Sequence, residues 1–225
     1  MYLSKIALRR SHESAIELAK LAANGAYSSH QLLWQLFSED ITRSFLYREE
    51  LGPDGLPNFY VLSQATPKNN NNLFEIKSKA FSPKLSVGQK LAFSVRVNPT
   101  VCETSETGKQ VRHDVMMHAK KSAQKNLGEL DSSRIKFLMD EAAMRWFSDP
   151  RRLSRWGFEL DAPPIVERYT QHHSVKKKGN HIQFSSVDYS GILKVVDPDV
   201  FLKQVECGFG RAKAMGCGLL LIRNI

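Results

Sequence analysis

Cysteine is scarce. The 225 residues hold three, Cys102, Cys207 and Cys217. They form no CxxC and no pairable framework, which excludes a disulfide-stapled secreted scaffold and points to a reducing cytoplasm. Long apolar runs are missing too. None approaches the roughly eighteen residues of a membrane span, and the opening Met1-Tyr2-Leu3-Ser4-Lys5-Ile6 has a strand pattern rather than that of a signal peptide. No membrane partner is expected. The histidines other than His30 (His12, His113, His118, His172, His173 and His181) have no ligand spacing with cysteine or acid, so neither a metal nor another cofactor is expected. There is no nucleophile elbow, no HExxH and no convincing acid pair, which removes the marks of several hydrolase classes. Acid itself is in short supply. Asp and Glu number 23 against 32 Lys and Arg, a net charge of +9.

That excess, with a sequence pI near 9.5, is the footprint of a nucleic-acid partner or a means of staying soluble. The other bulk numbers are ordinary for a globular protein, with 42% hydrophobic and 24% charged residues. The length leans towards two cores.

The most distinctive segment runs Gly208-Phe209-Gly210-Arg211-Ala212-Lys213-Ala214-Met215-Gly216-Cys217-Gly218. It carries four glycines, two cations and no acid. Glycine lets the backbone turn through positive φ and lets a ligand approach its amides. Free amides beside Arg211 and Lys213 suit phosphate. The spacing is that of neither common nucleotide loop. A P-loop lysine precedes Ser or Thr, whereas Lys213 precedes Ala214, and a dinucleotide fingerprint belongs early in a βαβ unit. A polymer's phosphates fit better.

Along the chain, Tyr2–Leu8 has a strand pattern. Ser14 and Glu17 have capping-box spacing, predicting a helix from Ala15 that Asn24-Gly25 ends. Ser29 is a cap candidate for the next helix, which carries the apolar stripe Leu32, Leu33, Leu36 and Phe37. Strands are expected at Ser44–Glu49, Phe59–Ala65, Leu73–Phe81 and Lys90–Asn98, with a polar loop at Asn69–Asn72. The second helix of this first unit is not visible. Residues 1–98 are assigned to a first domain, 99–108 to a linker and 109–225 to a second. The second is expected to run from a strand at Lys109–Met116 through a helix at Ser133–Phe147 to a long hairpin, Ile165–Val175 and His181–Val196. The last helix is capped by Asp197 with Pro198 in its first turn, and a strand at Leu219–Ile222 closes the chain. Strand, helix, strand, strand, helix, strand is a ferredoxin-like unit. The fold expected is therefore α+β, two tandem ferredoxin-like (RRM-like) domains.

Chemistry is less visible. Tyr27-x-x-His30 lies where a loop meets a helix. An imidazole can give or take a proton near neutral pH, which phosphodiester transfer requires, and a tyrosine three residues away could reach the same phosphate. A lone histidine at a helix start is more often a surface or capping residue. Lys176-Lys177-Lys178 in the hairpin turn is either a solvated tip or a phosphate contact. Trp34, Trp146 and Trp156 fall in apolar patterns and are assigned to packing. The basic Arg151–Arg155 could face RNA or solvent.

Several segments together resemble the CasE family of CRISPR precursor-RNA endoribonucleases of type I-E systems. They are Met1-Tyr2-Leu3-Ser4-Lys5, His30–Phe37, Arg43 with Leu46-Tyr47-Arg48, Arg96–Pro99, Gly157-Phe158, Phe184 to Val195, and the glycine tail through Leu220. The resemblance implies two ferredoxin-like domains that bind a CRISPR repeat RNA hairpin. It implies metal-independent attack of a ribose 2′-OH on the adjacent phosphate, leaving a 2′,3′-cyclic phosphate. The family's catalytic pair falls on His30, as general acid or base, and Tyr27, which orients or protonates. The product RNA would stay within the surveillance complex Cascade, whose other subunits are the expected protein partners. By the same resemblance the hairpin region from Arg168 to Lys176, Lys177 and Lys178 lies near the RNA stem. Gly208, Gly210, Arg211, Lys213, Gly216 and Gly218 are expected to shape the RNA-facing surface, with Arg211 and Lys213 as backbone contacts; the alternative for some of the glycines is close packing of the last helix and strand. A non-catalytic RNA-binding subunit on the same scaffold is the alternative. A small-molecule phosphate-binding regulator is a third reading, which the extended basic hairpin disfavours.

Overall fold

A computed structural model describes residues 1–37, 42–69, 73–105, 107–128, 130–175 and 181–225. The chain divides into two compact units.

The first unit contains Met1–Lys84, Gln171–Phe184 and Ala212–Leu219. Its elements in chain order are β1 (Tyr2–Leu8), α1 (His12–Asn24), α2 (Ala26–Trp34), β2 (Phe45–Leu51), β3 (Pro57–Ser63) and β4 (Phe74–Ala80). The sheet is antiparallel in the order β2-β3-β1-β4. The first and third strands thus lie side by side in the centre, the ferredoxin-like arrangement. Alternation along β1 and β3 puts Ile6, Leu8, Phe59 and Val61 on one face, where they pack with Leu33 and Leu36 from the helical segment and with Phe74 from β4. No helix joins β3 to β4 among the described residues.

Two helix starts differ from expectation. Ser11, rather than Ser14, caps α1, its hydroxyl accepting from the Ser14 amide at 3.2 Å. Glu17 pairs with Lys20 instead of closing a box. Helix α2 begins at Ala26 behind Gly25, whose φ of 53° turns the chain directly out of α1. Ser29 is therefore inside α2, and its hydroxyl donates to Glu49 Oε2 at 2.5 Å.

The second unit contains Leu85–Thr170, Ser185–Arg211 and Leu220–Ile225. It starts with β5 (Lys90–Val97), followed by the hairpin β6 (Thr100–Thr104) and β7 (Gln110–Asp114). Helices α3 (Val115–Leu127), α4 (Ser132–Phe147) and α5 (Pro150–Trp156) come next. Then come β8 (Phe158–Leu160), β9 (Ile165–Val175), β10 (His181–Val195), α6 (Pro198–Cys207) and β11 (Leu220–Asn224). The main sheet runs β11-β5-β10-β8, with β9 paired to β10. With β5, β8, β10 and β11 counted as first to fourth strand, the order repeats that of the first sheet. The core is aromatic. Phe147 stacks on Tyr189 and Phe93 at 4.6 and 5.6 Å between centroids, and Trp156, Phe158, Phe201 and Phe209 extend the cluster.

The place of β5 differs from the division drawn at residue 98. Its alternation, with Leu91, Phe93, Val95 and Val97 buried, marks a half-buried strand but not its partners. Antiparallel pairing with both β10 and β11 makes it central to the second sheet. The span read as a linker is largely β6, paired with β7 from Thr100↔Asp114 to Thr104↔Gln110.

Candidate active site

Tyr27 and His30 lie three residues apart on α2, so their side chains share a face. Both are half-buried. The inward-facing residues of β2 form the support of this helix. Phe45 stacks on the His30 ring, with centroids 6.2 Å apart and planes 27° apart, and Trp34 flanks the same imidazole at 5.5 Å. Two residues along β2, the Tyr47 hydroxyl donates to the Ala26 carbonyl at 3.0 Å. Two further along, Glu49 receives the Ser29 hydroxyl. The period of two in a strand thus brings three side chains of one strand face onto one helix. Gln31 Nε2, one turn beyond Tyr27, donates to the Tyr27 hydroxyl at 3.1 Å.

Burial between Trp34 and Phe45 holds the His30 pKa below its ordinary value, and the Arg43 guanidinium lowers it further. His30 therefore stands neutral at pH 7, with a ring nitrogen free of its proton. Arg43, just before β2, is itself half-buried, and desolvation lowers its pKa. Its Nη1 is buried without a hydrogen-bond partner among the described residues. A helix face with a neutral imidazole, a phenol and a nearby cation can move a proton beside a phosphate.

Far apart in sequence, Ala212–Leu219 of the glycine tail belong to this same first unit. Ala214 lies in a 3₁₀ turn at Lys213–Met215, and its carbonyl is 3.4 Å from the Tyr47 hydroxyl. Gly216 is at φ 80°, where a Cβ would sit 3.2 Å from the Tyr47 ring. The outer part of the β9–β10 hairpin, Gln171–Phe184, is in this unit too, and there His172 stacks on Phe184 at 4.4 Å.

A family model described as "CRISPR associated protein" matches residues 1–224. The chain belongs to the CasE family of CRISPR-associated proteins. It is 30% identical over 228 residues to the Cascade subunit CasE of Escherichia coli K12, covering 98% of both chains. It is 29% identical to the endoribonuclease Cse3 of Thermus thermophilus over 154 residues, 64% of this chain and 60% of that protein. A solved structure of Thermus thermophilus Cse3, bound to an RNA representing a pre-cleavage complex, superposes with a TM-score of 0.68. The identity there is 26%, covering 99% of this chain and 98% of that one.

For this CasE-family chain, the other sequence-selected residues fall in varied surroundings. Arg168 on β9 and Arg211 are exposed and lie in the second unit, while the half-buried Lys213 lies in the first. Gly208 is buried at the end of α6, where its amide bonds the Gln204 carbonyl and its own carbonyl accepts from Gln204 Nε2. Gly216 and Gly218 are buried as well, and a Cβ on Gly210 would press on Val97 at 3.3 Å. These glycines are occupied with packing in the free protein. Lys176, Lys177 and Lys178 lie outside the described residues. Arg152, from the basic run, lays its guanidinium 4.0 Å over the Trp146 ring. Sequence reasoning gave Arg43, Phe45, Tyr47 and Glu49 no role at the site. The alternation Phe45-x-Tyr47-x-Glu49 placed three of them on one strand face, and Arg43 and Tyr47 were marked only as part of the family resemblance.

Proposed function

We propose that this chain is the CRISPR RNA-processing endoribonuclease of a cytoplasmic Cascade complex. It binds the repeat hairpin, cuts precursor RNA beside it and keeps the product within the complex. The observation that carries this reading is the shared helix face of Tyr27 and His30, with His30 half-buried and held neutral, in a chain of this family. The neutral imidazole accepts the proton of the 2′-hydroxyl as that oxygen attacks the adjacent phosphorus. The bond from phosphorus to the 5′-oxygen breaks, leaving a 2′,3′-cyclic phosphate. Tyr27 is the neighbouring donor for the phosphate or for the departing 5′-oxygen. Arg43, whose charge reaches His30, is the cation we assign to offset charge developing on the phosphate. The residues assigned to proton transfer require no metal.

The test is cleavage of the CRISPR repeat RNA of its own genome in EDTA, beside a copy with one 2′-deoxy nucleotide at the cut site. Cleavage of the first alone is expected. His30→Ala should lower the rate by about 10²–10⁴-fold while leaving RNA affinity nearly intact. Tight binding of both RNAs with no cleavage of either favours the non-catalytic subunit. A normal rate in the His30→Ala variant overturns the assignment of the base.

A further inference from the structure

We propose that Tyr47 is a positioning residue, through which the glycine tail fixes the catalytic helix in register for cleavage. The inference rests on the nuclease reading above and adds to it a part for a residue remote from the chemistry.

The geometry is specific. Tyr47 is 1% exposed, in the middle of the three inward residues of β2 that meet α2. Its hydroxyl proton is shared between the carbonyl of Ala26, at 3.0 Å, and that of Ala214, at 3.4 Å. Ala26 is the first residue of α2. In an α-helix the carbonyl of residue 26 receives the amide of residue 30. The Tyr47 hydroxyl therefore holds the same carbonyl to which the backbone of His30 is hydrogen-bonded, one residue before Tyr27. Gly25, having no side chain, offers this helix no side-chain cap, and the Tyr47 hydroxyl acts on the carbonyl of its first residue. Burial keeps the phenol protonated, well above the usual tyrosine range, so it remains a donor at every working pH.

The tail also stands against the ring. Gly216 has no Cβ, and any side chain there would come within 3.2 Å of Tyr47 Cε2. The tail thus sets where the ring lies, the hydroxyl sets where Ala26 lies, and Ala26 carries Tyr27 and His30. A shift of an ångström in a catalytic group is enough to cost a large factor in rate. This gives the buried glycine of the tail a part in the reaction without touching RNA.

The test uses single-turnover cleavage of repeat RNA by the whole protein, with affinity measured separately. Tyr47→Phe removes one oxygen and keeps the ring. Its rate constant should fall about tenfold while the RNA dissociation constant stays within about twofold. Loss of folded protein would reduce the amplitude of cleavage and not the rate constant, so a merely structural role is told apart. Gly216→Ala should slow the wild-type background similarly. In the Tyr47→Phe background it should add less than about twofold, because the bond it disturbs is already gone. Cleavage by Tyr47→Phe at the wild-type rate constant overturns the proposal, as do effects of the two variants that multiply in full. Failure of the wild-type protein itself to cut would instead refute the nuclease reading.

Discussion

The proton transfer proposed for His30 depends on its neighbours. Burial beside Trp34 and Phe45 is the larger cause of its lowered pKa and the Arg43 charge the smaller. If the neutral form is the active one, cleavage rate rises with pH up to that pKa and then levels off. The bend falls below the ordinary histidine value of about 6.5. Arg43→Gln removes the smaller cause and leaves the larger. The bend should move up towards 6.5 without passing it, read from single-turnover rates between about pH 5 and 8. A rate that falls as pH rises through the bend would reverse the sign and make His30 an acid. Of this candidate site, Tyr27 and His30 were picked out by their proton chemistry and by the family resemblance, while the helix face they share was hidden because Ser29, read as a cap, left Tyr27 in the preceding loop. Arg43 and Tyr47 carried no local mark of function. Arg43 precedes a strand and Tyr47 sits within it, and their roles depend on which helix packs there.

Between elements, the strands were nearly all visible from alternation, as in β1 and β9, whose ends match the expectation. Partners were not. β5 has the pattern of any half-buried strand, and only its pairing with β10 and β11 shows that it opens the second sheet. Helix starts were missed for a related reason. Ser29 has cap chemistry, but Gly25 makes the turn and Ser29 finds Glu49 instead. The corner after α5 falls at Gly157-Phe158, which the sequence marked only as part of the family resemblance, and it shows why glycine is needed. Gly157 is at φ 77°, and a Cβ there would lie 2.6 Å from the backbone nitrogen of Phe201 at the packed α6. Strain and a backbone clash act together, so Gly157→Ala should cost upwards of ~2 kcal/mol. A lower urea midpoint with an unchanged slope would register it.

Over the whole chain the net charge of +9 asks for a polyanion, but charge alone does not say which surface meets it. The glycine tail first suggested that surface, yet Gly208, Gly216 and Gly218 are buried, so the phosphate contacts proposed for this chain rest on its cations. Arg168 is exposed on β9, and the three lysines between β9 and β10 are near it in sequence. Each phosphate contact made by a cation releases counterions and adds about 0.7 to 0.9 to the slope of log affinity against log salt. Replacing Arg168, Lys176, Lys177 and Lys178 together by Gln should therefore weaken repeat-RNA binding and flatten that slope by about 3. The measurement is a salt titration of affinity for the variant and the unaltered chain. The cleavage rate constant of saturated complexes should stay within about threefold, since these contacts would serve affinity while the proposed proton transfer is on α2. An unchanged slope would mean that the lysines are a solvated tip, and that the positive surface meeting RNA lies elsewhere.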